Sequence, residues 1–358
     1  MPRHKGRTMW PAEFTMHQTP LRHCLYLLAG LLSALACVSS AGAAELRLLT
    51  HASFALPKPL LTQFEKEAGV TLRIVKSGDA GEMLNKLILT RAQPIADVVF
   101  GIDNILAHKA IATGVLDLAV PLDGSAATSA LPAGLQAVDQ GYVTINADKA
   151  WFSRKGLALP DSLETLAKPA YARLLVVENP ATSSPGLAFL LATIGSMGED
   201  KAFDWWARMR TYGVKVTKGW SEAYYTAFSR NGGAYPLVVS YATSPAAEVF
   251  YSKPPVAEAP TVSLNLAGGV FRQVEGAALV QGGGQREAAL RLLQFLRSAP
   301  VQQALQTEMW MYPIDTQTPR VAALRHAPEP TAASSPEPAA IAAKTGDWVQ
   351  RWQRVVLK

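Results

Sequence analysis

From residue 46 onward, apolar positions alternate between short continuous runs and helical stripes. Residues 46–49 form a compact apolar run and read as a strand. Residues 57–68 place Leu60, Leu61, Phe64 and Ala68 on one helical face, and Gly69 supplies the stop. Val70, Leu72 and Ile74 alternate as in a strand, and Met83, Leu84, Leu87 and Ile88 return to the helical period. Residues 95–100 read as a buried strand. Asp103 or Asn104 then caps a helix that carries Ile105, Leu106 and Ile111 and ends near Gly114. This succession predicts an α/β unit with a mainly parallel sheet flanked by helices.

A second α/β stretch begins near Ala150. Strands are expected at 174–177, 214–216 and 237–240, each followed by a helix. Residues 202–209 form a further helix whose Trp205 and Trp206 read as core, as do Trp348 and Trp352 near the end. Residues 262–280 read as one extended run, 282–284 as a glycine turn, 287–298 as a helix and 328–343 as a Pro/Ala/Ser-rich surface loop. Residues 141–145 and 269–278 are candidate crossings between two lobes. The first lobe is then discontinuous (45–142 and 276–358) and the second is 143–275.

The first 44 residues read as a leader. Arg22 and His23 precede an apolar run from Cys24 to Val38, which suits a signal core and is short for a membrane span. Ala41 and Ala43 fit the −3 and −1 positions of a cleavage site, Gly42 and Ala44 are the next choice, and Met16 is a second candidate start. Half of the formal charge of +6 belongs to this leader, so the mature surface is nearly balanced. Basic residues are scattered without a run, which argues against nucleic acid as a partner. Both cysteines, Cys24 and Cys37, fall in the leader. Thiol catalysis and cysteine–metal sites are thereby excluded from the mature chain, and no metal or other cofactor is expected. His51, His108 and His326 are far apart, Ser183 and Ser184 lack a GxSxG setting, and no acid/base pair of carboxylates stands out. The chemistry points to binding rather than catalysis.

Three segments share one design: Thr182 to Gly186, Lys218 to Glu222 and Tyr241 to Pro245. Each joins a strand end to a helix start through hydroxyl or aromatic residues. In parallel sheets ligands sit beyond the carboxyl ends of strands, and helix starts favour anions. Ser183, Ser184, Thr243 and Ser244 offer hydroxyls there, although Ser and Thr are also ordinary caps. Trp220, Tyr241, Trp310 and Tyr312 offer aromatic faces for a cation. Asp79 can accept from an amine or cap the next helix. Asp97 reads as a buried structural acid, and Glu275 faces the cleft if its strand crosses there.

At these segments the chain resembles the thiamine-binding periplasmic family of bacterial ABC importers. The resemblance runs from about Leu46 to the C-terminus. It is carried by residues 97–104 (DVVFGIDN), 182–187 (TSSPGL), 216–224 (VTKGWSEAY), 240–246 (SYATSPA) and 310–313 (WMYP). It implies a two-lobed periplasmic-binding-protein fold with ligand in the interlobe cleft, a monomer, and delivery of thiamine, thiamine monophosphate or thiamine diphosphate to a membrane permease. Carried over by position, Asp79 and Ala80 contact the thiamine body, and Ser183, Ser184, Trp220, Tyr241, Ala242, Thr243, Ser244 and Pro245 line the other side and any phosphate. Trp310 stacks on a ring. Two positions depart from the family: His51 stands where relatives have Tyr, and Ala246-Ala247 where they have an aromatic residue. The other readings are a binding protein for ferric iron, a polyamine or an organophosphate, and an exported thiamine-ester phosphatase.

Overall fold

Among the described residues, eleven strands pair into one curled sheet. A computed structural model describes residues 43–119 and 130–358. Residues 1–42 of the leader, with its cysteines and the cleavage positions Ala41 and Gly42, lie outside the described residues. The first strands are β1 (Ala44–Thr50), β2 (Val70–Lys76), β3 (Val98–Asp103), β4 (Leu116–Asp117) and β5 (Gln136–Asp148). They are followed by β6 (Leu175–Glu178), β7 (Lys215–Thr217), β8 (Leu237–Tyr241), β9 (Thr261–Ser263), β10 (Phe271–Val280) and β11 (Tyr312–Pro313). The order is β2-β1-β3-β10-β5-β8-β6-β7. The outer trios β2-β1-β3 and β8-β6-β7 are parallel, as the helix–strand alternation predicts. The long strands β10 and β5 run antiparallel through the middle and join the two trios.

In the first half, β1 and β3 send alternate side chains to opposite faces. Leu46, Leu48, Val98 and Phe100 enter one core and Leu49, Val99 and Ile102 the other. Helix α1 (Lys58–Ala68) ends at Gly69, whose φ of 67° is the left-handed cap that glycine adopts freely. Helices α2 (Ala80–Leu89) and α3 (Leu106–Ala112) cover the other face. In the second half, α4 (Ser184–Met197) is buried from Ser184 to Ile194 and packs on α5 (Glu199–Thr211). A helix buried all round has an all-round apolar sequence, which hides its amphipathic face. Helix α6 (Ser244–Tyr251) follows β8, and α7 (Arg286–Leu296) and α8 (Ala299–Glu308) return to the first half.

Three expectations need correction. The 262–280 run is broken, because Asn265 at φ 47° and Gly268 at φ 78° turn the chain between β9 and β10. The loop expected at 328–343 ends early in helix α9 (Pro338–Trp352), since proline is tolerated in a first helical turn. The C-terminal segment, expected with the first lobe, packs on the second half. Residues 322–326 lie on α6, and Trp352 meets Trp206 of α5 edge-on at 5.5 Å between ring centroids. Trp205, Trp206, Trp348 and Trp352 are core residues, and the buried indoles of Trp205 and Trp206 donate to Leu163 O at 2.8 Å and Thr193 Oγ1 at 3.1 Å.

Asp97 is the structural acid its apolar surroundings suggest. It accepts from Arg47 N at 2.8 Å, Arg47 Nη2 at 2.8 Å and Gly284 N at 2.9 Å, and so ties β1 to the turn after β10. Burial pushes its carboxyl up, but the Arg47 and Gly284 hydrogen bonds outweigh burial and hold it below its usual range. Asp97→Asn is expected to cost about 3 kcal/mol in urea unfolding at neutral pH, as for a broken buried ion pair. A depressed carboxyl contributes stability above its unfolded pKa of about 3.9 and loses it as pH falls through the folded pKa. Wild-type and variant stabilities should therefore converge in acid.

Candidate functional site

The strand ends, the crossing strand β10 and residues 308–311 line a cavity of about 530 Å³. That is within the roughly 300–1,000 Å³ usual for small-molecule sites and too small for a folded partner. His51, just past β1, Asp79 and Ala80 at the start of α2, and Ser184 at the start of α4 reach its wall. So do Trp220, Tyr241, Thr243, Ser244 and Trp310. Ser183, Ala242 and Pro245 are buried beside it without reaching the wall. Ser183 caps α4, accepting from Gly186 N at 3.5 Å.

Asp79 caps α2, one of the two roles its position suggests, and also reaches across the cleft to a backbone amide. Its Oδ1 accepts from Ala80 N at 3.0 Å, and its Oδ2 from Trp220 N at 3.1 Å across the cleft. One carboxylate thus fixes the start of α2 to the turn that presents Trp220. The same edge is closed by Glu82 N donating to Thr182 O at 3.2 Å and by Lys218 Nζ at 3.0 Å from Glu82 Oε2. A Cβ on Gly81 would stand 2.9 Å from Thr182 O, so this approach requires glycine.

Hydroxyls and amides link the floor of the cavity into one chain. Tyr241 OH donates to Gln273 Oε1 at 2.9 Å, and Gln273 Nε2 donates to Asp103 Oδ2 at 2.7 Å and to Ser184 Oγ at 2.7 Å. Ser184 Oγ also donates to Asp103. Asp103 therefore caps α3, as its position predicts, and in addition holds Ser184, whose proton is then not free for a phosphate. Burial pushes the Asp103 carboxyl up against these hydrogen bonds. Thr243 keeps a freer hydroxyl, since it makes no capping hydrogen bond to α6.

Two aromatic walls face the cavity. Trp220 stacks on Tyr224 at 5.0 Å and 17°, and its Nε1 donates to Ser240 Oγ at 2.9 Å. Trp310, in the left-handed region at φ 57°, stands edge-on to Phe250 at 5.4 Å and Tyr251 at 5.8 Å. Tyr251 lies one helical turn beyond Ala247 on α6, and both reach the wall. An aromatic ring is therefore present on the same face of α6 as Ala247. Spacing of four along a helix was the signal available for Tyr251.

The floor also carries acids that sequence spacing barely marks. Glu275 of β10 is 4% exposed, reaches the cavity, and pairs in register with Asp103 of β3 on one side and Asp139 of β5 on the other. His51 Nε2 lies 3.6 Å from Glu275 Oε2, and neither atom has a hydrogen-bond partner. Burial lowers the His51 pKa, but the Glu275 carboxylate outweighs it and leaves it raised. Burial, with Glu275 alongside, pushes the Asp139 carboxyl well up. Burial and then the Glu275, Asp79 and Asp103 charges push Tyr241 well above the usual phenol range. On the rim, Glu248 accepts from Tyr224 OH at 2.6 Å and from Arg230 Nε at 3.1 Å, a network with no sequence signature. Among the described residues, no group of three His, Cys, Asp or Glu side chains is placed to hold a metal ion.

The His51 ring lies over Gly101, where a Cβ would stand 2.4 Å from Cδ2 and φ is 98°. Gly101→Ala should cost about 1–3 kcal/mol in thermal unfolding from backbone strain. It should also displace His51, detectable as a shifted imidazole titration by NMR.

Residues 93–342 match the family described as bacterial extracellular solute-binding protein. The thiamine-binding periplasmic protein of Escherichia coli (strain K12) is 33% identical over 321 residues, covering 87% of this chain and 93% of that protein. A solved structure described as a periplasmic thiamin binding protein superposes with a TM-score of 0.75 at 31% identity, covering 87% of this chain and 96% of the other. A ferric binding protein from Campylobacter jejuni shares the fold, with a TM-score of 0.68 at 16% identity over 87% of this chain and 99% of its own.

Proposed function

We propose that this chain, which belongs to the bacterial extracellular solute-binding protein family, captures thiamine and its phosphate esters and hands them to the membrane permease of an ABC importer. The observation that carries the reading is the cavity itself: two aromatic walls over a floor where the buried Glu275 side chain reaches the wall. That combination suits an aromatic cation, because ring faces attract cations by about 1 kcal/mol when exposed and 2 or more when desolvated. The relatives that share about a third of the sequence are named for thiamine, and they are named as binding proteins rather than enzymes. Thr243 at the start of α6 is left to meet an ester phosphate, with Ser244 beside it already linked to Ser240 Oγ at 3.0 Å.

In this reading the halves close over the ligand about β5 and β10. Ligand touches both halves only in the closed form and draws the population toward it. The first half comprises residues 45–142 and 276 to about 310, and the second comprises 143–275 together with the C-terminal segment that packs on it. Export through a cleaved leader of 44 residues would place the protein in the periplasm as a monomer. The shared fold of a ferric binding protein leaves iron as a second reading. Tyr224 and Tyr225 are adjacent, but Tyr224 is committed to Glu248.

Calorimetric titration of residues 45–358, refolded after removal of carried ligand, tests the reading. One saturable site per chain at micromolar affinity or tighter is expected for thiamine, and the order of the three affinities reports on Thr243 and Ser244. Heat with ferric salt and none with thiamine would transfer the protein to the second reading. Trp220→Ala should weaken thiamine by about 1–3 kcal/mol through lost stacking and burial.

A further inference from the structure

Like charges directly opposite one another on neighbouring strands destabilise a sheet. Asp103, Glu275 and Asp139 nevertheless occupy opposed positions on the three central strands, and all three are buried. Their neighbours divide them by role. Asp103 is satisfied by Ser184, Gln273 and the start of α3. Asp139 accepts no hydrogen bond among the described residues, and burial, with Glu275 in contact, favours its neutral form. Glu275 alone reaches the cavity with an unpartnered oxygen. The nearest cation available to it is His51 at 3.6 Å, which is itself unpartnered at that nitrogen.

We propose that Glu275 is the counter-charge that selects a positively charged ligand, and that His51 competes with that ligand for it. The proposal rests on the thiamine reading and adds to it a specificity-determining residue and a proton. With the cavity empty, a protonated His51 neutralises Glu275. When the thiazolium ring enters, a second positive charge in so dry a site disfavours the first, and His51 releases its proton to solvent. The other groups facing this pair leave it in control. Asp79 faces His51 from the start of α2, but both its oxygens are engaged by backbone N–H groups. Lys76 at the end of β2 opposes protonation of His51. Asp103, Asp139 and Tyr241 face Glu275 from β3, β5 and β8, and burial favours the uncharged form of each. Glu178, at the end of β6, is likewise buried without a partner and pushed well up.

The sign of the pH dependence follows. The ligand binds the form with His51 deprotonated, so affinity rises with pH below the His51 pKa and levels off above it. The probes are thiamine and 3-deazathiamine, in which an uncharged thiophene replaces the thiazolium while the aminopyrimidine is kept. Both are titrated calorimetrically into the wild type between about pH 6 and pH 8, where histidine changes charge. Thiamine affinity should rise by up to about tenfold per pH unit on the acid side, as one linked proton dictates, while the neutral analogue binds with a flat profile. Titrations in buffers of different ionisation enthalpy should show proton release for thiamine only. Glu275→Gln should weaken thiamine by tenfold or more, on the order of a lost charge-assisted contact, and leave the analogue nearly unchanged. His51→Gln should abolish the pH slope. Parallel pH profiles for the two ligands in the wild type, which need no variant to fold, would overturn the proposal. So would an equal loss of both ligands in a folded Glu275→Gln protein. Failure of the wild type to bind thiamine at any pH would instead overturn the ligand reading, and this assignment with it.

Discussion

The antiparallel pairing of β5 with β10 is the constraint on which the rest of the structure depends. These are the longest strands of the sheet, and they alone join the two parallel trios. Where they pair, a register shift follows Glu275, and a second shift against β3 follows Gly276. Such bulges bend a strand and re-aim its side chains. Here they lie beneath the cavity, at the level where Glu275 reaches its wall and Gln273 holds Tyr241 and Ser184. The same two strands therefore connect the halves and run beneath the cavity, with Glu275 of β10 reaching its wall. A motion of one half against the other is felt at the binding floor without any longer relay.

Much of the fold was legible because it is local. The stripe Leu60, Leu61, Phe64 with Gly69 behind it, and the alternation Val70, Leu72, Ile74, each report on a single element, and their neighbours in sequence decide it. The capping roles of Asp79 and Asp103 were legible for the same reason. The elements that were misread depend on single backbone angles or on distant partners. Asn265 and Gly268 break an otherwise strand-like run through positive φ values. Pro338 opens a helix from a segment whose composition suggests a loop, and that helix is held by Trp352 packing on α5, some 150 residues away in sequence.

The site divides in the same way. Trp220, Tyr241, Thr243 and Ser244 lie in junctions whose design is visible in a few residues, and they reach the wall together. Glu275 was visible only as a weak signal, since its importance comes from strand register with Asp103 and Asp139, far away in sequence. His51 was visible as a departure from a resemblance, and its closeness to Glu275 was not. Ser184 shows the converse: a serine at a helix start invites a phosphate reading, whereas three-dimensional packing commits its proton to Asp103. The resulting cavity is more acidic at its floor than the hydroxyl-rich junctions imply.

The central claim is that ligand is held between halves that move about β5 and β10. Small-angle X-ray scattering of the ligand-stripped protein, with and without saturating thiamine, tests it most directly. The account predicts a smaller radius of gyration and a shorter maximum dimension on addition of thiamine. Identical scattering curves at demonstrated saturation would contradict it, because the cavity would then be a preformed pocket that needs no closure to hold its ligand.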